Sequence, residues 1–113
     1  MATVDHIRSV VADLPRSYEV LVRDQIKFRV GQIVYLSFSP DESRMGFAFP
    51  KEEREALVSS DPETYLMPAT SDMRFNWAVV RLDRIRDTEA GELALDAWSM
   101  VVPQKVSRAW FGE

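Results

Sequence analysis

Apolar and polar residues alternate most regularly between residues 26 and 49, and this alternation predicts the centre of an antiparallel sheet. In the run 26–30, isoleucine, phenylalanine and valine are separated by a lysine and an arginine, so the two sets project from opposite faces of a strand. The runs 33–38 and 45–49 are rich in the β-branched and aromatic residues that strands favour. Residues 31–32 separate the first two runs and begin with glycine, as in a tight hairpin. We therefore expect three consecutive antiparallel strands.

Helical patterns flank these strands. Apolar residues recur at steps of three and four over residues 4–14, which predicts an amphipathic helix. A short second helix begins at Pro50, followed by two glutamates that favour the positive end of its dipole. We expect Ala56 and Leu57 on the inward face of this helix. A longer amphipathic helix starts at Asp87, which we take as its N-cap.

Two more strands complete the predicted sheet. Residues 65–67 form a brief strand, and residues 76–82 are apolar on both faces, which is typical of a strand well inside a sheet. Residues 17–23 are either a short edge strand or an extended lead-in. The predicted fold class is α+β, a two-layer sandwich of order α-β(3)-α-β(2)-α with one antiparallel sheet. The length is that of one domain, which we assign to residues 1–113.

Charge and composition narrow the function classes. The net charge of −4 opposes generic affinity for nucleic acid. The chain has no cysteine and one histidine, His6, so we expect neither thiol chemistry nor a metal site. There is no signal-type apolar run at the start and no stretch of ~20 apolar residues. We expect a soluble cytoplasmic protein that does not associate with membranes.

No set of residues predicts catalysis. The four glycines are scattered, so no glycine-rich phosphate loop exists. Carboxylates are plentiful, but their spacing gives no reason to place two of them across a cleft. We therefore predict a non-enzymatic domain without a cofactor.

Many short pieces of the chain have a familiar order and spacing: Leu14-Pro15, Phe28-Arg29-Val30-Gly31, Ser39-Pro40-Asp41, the stretch from Pro50 to Leu57, Asp61-Pro62, Trp77, Ala97-Trp98 and Val102-Pro103. Together they resemble the MmcQ/YjbR family over nearly the whole chain. The resemblance implies an α-β(3)-α-β(2)-α sandwich similar to secretion chaperones, which agrees with the order derived above. It also implies DNA binding, a function attached to the family because its fold has been described as a double-wing arrangement.

The chain departs from the family pattern in two places. Many members carry a second glycine and then a lysine after the hairpin glycine, where this chain has Gln32 and Ile33. Many also carry two basic residues after the last helix proline, where this chain has Gln104 and Lys105. Both changes remove positive charge from positions that a DNA contact would use.

Basic residues that remain fall into two groups, one on the outward face of a predicted strand and one around the last strand and the tail. The second group lies near an asparagine and a tryptophan, which suit phosphate binding and base stacking. The candidate nucleic-acid-binding residues are Lys27, Arg29, Arg74, Asn76, Arg81, Lys105 and Arg108. The alternative is that the arginines form surface ion pairs with Asp72, Asp83 and Asp87, and that Trp77 belongs to the core.

The segment 71–77 is the most unusual polar and aromatic run, and it leads from a loop into a buried strand. Functional residues are often carried by such loops. Two functions follow as hypotheses: a nucleic-acid-binding module, and a chaperone- or adaptor-like module that binds a protein partner. The second is based on the chaperone-like fold, the net charge and the aromatic tail Trp110-Phe111. For either function we expect a monomer or a weak dimer.

Overall fold

A six-stranded antiparallel sheet organises the chain, and the computed structural model describes all residues 1–113. The helices are α1 (Val4–Val11), α2 (Lys51–Ser60), α3 (Asp87–Val101) and α4 (Gln104–Phe111). The strands are β1 (Ser17–Val22), β2 (Gln25–Val30), β3 (Ile33–Phe38), β4 (Arg44–Ala48), β5 (Tyr65–Leu66) and β6 (Trp77–Arg81). None of the helices has the length and apolar composition needed to span a bilayer.

The strand order is β1-β2-β3-β4-β6-β5, which confirms the predicted α+β class with one antiparallel sheet. Residues 17–23 were predicted to form either a short edge strand or an extended lead-in, and the structure has the edge strand β1 there. Four strands therefore precede α2, one more than the three predicted. The turn from β1 into β2 has positive φ at both Arg23 and Asp24, the pattern of a type I′ turn. The next turn has positive φ at Gly31 alone, the pattern of type II′. Both turn types match the twist of the strands they join.

Packing of α3 against α1, β3 and β4 forms the core. Trp98 is fully buried, and its indole N–H donates a hydrogen bond to the carbonyl of Pro15 at 3.0 Å. The rings of Trp110 and Phe111 each lie 6.2 Å from the ring of Trp98 in edge-on geometry. The C-terminal residues therefore form helix α4, which packs against α3.

The role predicted for Asp87 is wrong. The N-cap position of α3 is Arg86, and Asp87 is the first helical residue. The carboxylate of Asp87 accepts a hydrogen bond from the backbone N–H of Thr3 at 3.1 Å, beside the start of α1. Glu89 accepts from the backbone N–H of Arg86 at 3.2 Å. Asp87 thus joins two helix starts that are 84 residues apart, a contact with no local signal in the sequence.

Candidate functional site

The sheet has a face opposite the core, and one row of residues on it crosses all six strands. Residues directly opposite each other in antiparallel strands share a face. The row consists of Val20, Lys27, Ser37, Gly46, Val79 and Leu66. The neighbouring row on the core side contains Phe28, Leu36, Phe47 and Ala78, which are all fully buried. We call the face that carries the first row the outer face.

Four cations project from the outer face. Lys27 lies in the row itself, and Arg29, Arg44 and Arg81 lie two positions along their strands from members of the row. None of the four lies within ion-pair distance of a carboxylate. The buried Nε of Arg29 also lacks a hydrogen-bond acceptor. A chain with net charge −4 therefore carries four cations without an ion pair on one face of its sheet.

Arg44 and Arg81 are directly opposite each other in the β4–β6 pair, and both are exposed. Like charges at directly opposed positions destabilise an antiparallel pair. Asp41 is close to Arg44 in the chain, but its carboxylate accepts hydrogen bonds from the hydroxyls of Ser43 at 2.7 Å and Ser39 at 2.8 Å. These bonds lower the pKa of Asp41 to about 2. Asp41 is thus engaged within its own turn, and the two arginines remain without an acidic partner.

Two adjoining cavities form a groove that covers part of the outer face and extends to Met100 and Val101 at the end of α3. We call it the outer groove. Their volumes are about 660 and 390 Å³, and Trp77, Ser37, Gln25 and Asp72 border both. The larger cavity is bordered by Lys27, the smaller by Arg44, and the loop before β6 forms one wall. Asp72 is the only carboxylate that borders either cavity.

The indole ring of Trp77 lies against the backbone of Gly46. A Cβ at Gly46 would be 2.6 to 2.8 Å from three atoms of that ring, so no larger residue fits there without moving it. Trp77 is half-buried on the outer face and is not part of the core, in contrast to the alternative considered above. Its indole N–H makes no hydrogen bond within the protein; only that of Trp98 does. Trp77 therefore lines the groove with an aromatic ring whose N–H has no acceptor within the protein.

Arg54 of α2 fixes the loop that forms the wall. One terminal nitrogen of its guanidinium donates to the carbonyls of Phe75 at 3.1 Å and Trp77 at 2.9 Å, and the other donates to that of Met73 at 2.8 Å. Only 6% of Arg54 is exposed, and it has no carboxylate partner. Ala56, predicted to face inward, is exposed. Arg54 lies on the inward face of α2 because the loop carbonyls accept its hydrogen bonds.

Asn76 and Lys51 add a second tie between the loop and α2. The side-chain oxygen of Asn76 accepts from the backbone N–H of Lys51 at 3.1 Å, and so caps the first turn of α2. The ammonium group of Lys51 donates to the carbonyl of Arg74 at 3.2 Å. The guanidinium of Arg74 is exposed and lies 4.7 Å from the centre of the Phe75 ring. The loop is thus held by its backbone, and the Arg74 side chain does not bind Asp72.

The candidate residues named from the sequence divide into two sets. Lys27, Arg29 and Arg81 all lie on the outer face, but Arg29 and Arg81 are on opposite sides of the row, and of the three only Lys27 borders a cavity. Asn76 borders the larger cavity, and Arg74 is exposed in the same loop. Lys105 and Arg108 are exposed on α4 and border neither cavity.

Two further arginines near the last strand do form surface ion pairs, but not with the predicted aspartates. Arg84 binds Glu63 at 2.8 Å, and Arg86 binds Glu89 at 3.2 Å. Sequence reasoning missed Arg44, whose place opposite Arg81 depends on the pairing of β4 with β6.

The fold and the groove define a small α+β domain whose sheet has one face packed in the core and one open, cationic face. Within that class the chain belongs to the YjbR family, whose model matches residues 12–100. It is also similar to the crystal structure of Deinococcus radiodurans protein DR2400, which has a DUF419 domain, with a TM-score of 0.79 and 26% identity. That match covers 99% of this chain and 89% of the other. The comparison with curated proteins gives no match. The predicted family is confirmed.

Proposed function

We propose that the protein binds nucleic acid through the outer groove. The observation that carries the proposal is the set of four unpaired cations on the outer face of an otherwise acidic protein. Neutralising phosphates with such residues releases counterions, which is the main source of non-specific affinity for nucleic acid. The DNA binding implied by the family resemblance agrees with this choice.

The facing pair Arg44 and Arg81 strengthens the argument. Two guanidinium groups held opposite each other repel when no anion is present. A phosphate between them removes that repulsion. Its oxygens can also accept the paired hydrogen bonds that the planar guanidinium group of arginine donates. A nucleic-acid backbone supplies such phosphates at regular intervals.

The alternative, a module that binds a protein partner, was based partly on Trp110 and Phe111. Both rings contact Trp98, so their presence has a structural explanation in the packing of α4. The alternative also leaves the unpaired cations of the outer face without a role. Nucleic acid is therefore the partner that we put forward.

Titration of labelled oligonucleotides, both duplex and single-stranded, tests the proposal by fluorescence anisotropy. We expect affinity to fall steeply between about 50 and about 200 mM salt. Replacing Arg44 and Arg81 together by glutamine should weaken binding and make the slope of log affinity against log salt shallower by about 1, for the one phosphate that the two arginines share.

The matched control replaces Arg84 and Arg86 by glutamine. It makes the same change in net charge, but these two residues are ion-paired and lie outside the strands of the sheet. The control should bind as the unmodified protein does. Absence of binding to every oligonucleotide at low salt would overturn the proposal, and so would equal losses in the two double variants.

A further inference from the structure

We infer that the nucleic acid in the outer groove is single-stranded, with one base against Trp77 and a neighbouring phosphate on Arg44 and Arg81. This inference rests on the proposed function and specifies its ligand. The starting observation is the position of Trp77, which borders both cavities and lies between the two ends of the groove.

An aromatic ring at the floor of a groove is accessible only to an unstacked base. In a duplex the flat faces of the bases are covered by neighbouring bases. A duplex therefore exposes only its phosphates, sugars and base edges to a protein. Stacking on aromatic side chains within a cationic groove is the mode by which proteins hold single strands. The larger cavity, of about 660 Å³, also has Phe75 in its wall. Its volume is within the range of roughly 300–1,000 Å³ of small-ligand pockets.

Polar groups that border the same cavities as Trp77 match the edge of a base better than a phosphate. The free indole N–H is a donor, and the amide of Gln25 offers both a donor and an acceptor. Asp72 borders both cavities and is the single carboxylate there. A carboxylate repels a phosphate but accepts hydrogen bonds from the exocyclic amino group of a base. The charges thus place the base near Trp77 and Asp72, and the phosphate farther along the groove.

The phosphate position follows from the strand register. Arg44 and Arg81 are each two residues from the Gly46–Val79 pair, and the ring of Trp77 covers Gly46. Two residues of antiparallel strand span about 7 Å. The stacking ring and the paired arginines are therefore close enough to hold the base and the phosphate of one nucleotide.

Quenching of tryptophan fluorescence tests the inference, because the proposed stacking involves Trp77 directly. The titrations use a single-stranded DNA, the RNA strand of the same sequence, and the matched DNA duplex at low salt. We expect both single strands, or one of them, to quench the fluorescence and to bind more tightly than the duplex. Comparison of the affinities for the DNA strand and the RNA strand shows which of the two nucleic acids the protein prefers.

Trp77→Leu should remove the quenching and weaken single-strand binding about 10-fold or more, since stacking on an aromatic ring contributes that much per base. Trp110→Leu is the control, because Trp110 is also half-exposed but lies on α4 outside the groove. A thermal melt confirms that each variant is folded. Asp72→Asn gives a second measurement: it should alter the preference among bases without changing the salt slope.

The outcomes separate the inference from the proposed function. Duplex binding that equals or exceeds single-strand binding, with no effect of Trp77→Leu, overturns the inference and leaves nucleic-acid binding in place. A uniform gain in affinity for all sequences in Asp72→Asn also overturns it, because Asp72 would then merely repel phosphate. Failure of all three ligands to bind removes the proposed function itself.

Discussion

Replacing Arg54 by methionine should destabilise the protein although it removes a buried charge without a counter-ion. The guanidinium makes three hydrogen bonds of 2.8 to 3.1 Å to loop carbonyls. Hydrogen bonds to charged groups contribute about 1.5–3 kcal/mol each. Against this sum stands the cost of burying the cation, which amounts to several kcal/mol.

The net effect should be smaller than the sum of the three bonds. Met73 and Phe75 are exposed residues, so we expect water to reach their carbonyls once the arginine is removed. Bonds that share one donor group are also not additive. We expect Arg54→Met to lower the free energy of unfolding by about 2–4 kcal/mol, as for other broken buried networks.

Urea denaturation measures this change. With a slope of about 2 kcal/mol per molar urea, the middle of the usual range, the midpoint should fall by roughly 1–2 M, and the slope itself should stay constant. Arg74→Met is the matched control: it is the same substitution in the loop that Arg54 holds, but at an exposed residue without an ion pair. We expect it to cost less than about 1 kcal/mol. A loss below about 0.5 kcal/mol in Arg54→Met, or equal losses in both variants, would refute the reasoning.

Three further substitutions test the packing. Trp98→Ala should lower the free energy of unfolding by ~3–5 kcal/mol, the range for truncating a large core aromatic; a loss below ~1 kcal/mol in urea denaturation would contradict its burial. Gly46→Ala should cost about 1–3 kcal/mol through the clash with Trp77, and near-UV circular dichroism should change; in a Trp77→Leu background most of the cost should disappear. Burial raises the pKa of Tyr35 from 10.0 to about 12, so folding favours its protonated phenol. The raised pKa of Tyr35 therefore contributes to the free energy of unfolding in full below pH 10, and this contribution is lost as the pH rises towards 12. Tyr35→Phe should therefore gain about 2–3 kcal/mol relative to the unmodified protein between these pH values, and alkaline urea titrations that remain parallel would disprove this.

Local patterns predicted most of the sheet because its core-facing rows alternate with polar residues. The edge strand β1 was harder to predict, since Leu21 is 70% exposed and Tyr18 43% exposed on a strand with only one neighbour. Because apolar residues on this edge strand are exposed, their positions do not indicate which face of the strand is buried. The turn at Gly31, by contrast, depends on two adjacent residues and was predicted correctly.

Arg54 shows why part of the site could not be predicted. An arginine in a glutamate-rich helix fits a solvated surface, and its acceptors are backbone carbonyls, which every sequence possesses. Arg44 was missed for a related reason: its partner Arg81 lies 37 positions later in the sequence, in β6, which lies beside β4 only after the chain has returned through α2 and β5. Lys27 and Arg29 could be named because alternation within a single strand already assigns their face. Arg81 was named only because it belongs to the group of arginines around the last strand.

The sequence order of the elements has a consequence for synthesis on the ribosome. Strands β1 to β4 pair with their neighbours in sequence, so this part of the sheet can form once Ala48 has emerged. The helix that packs on β3 and β4 is α3, and its buried Trp98 is made 50 residues after Ala48. At ~5–20 residues per second this interval lasts roughly 3–10 s. During those seconds the apolar row of Phe28, Leu36 and Phe47 lacks its main cover, so nascent chains that stop before Trp98 should be the species that aggregate or recruit chaperones.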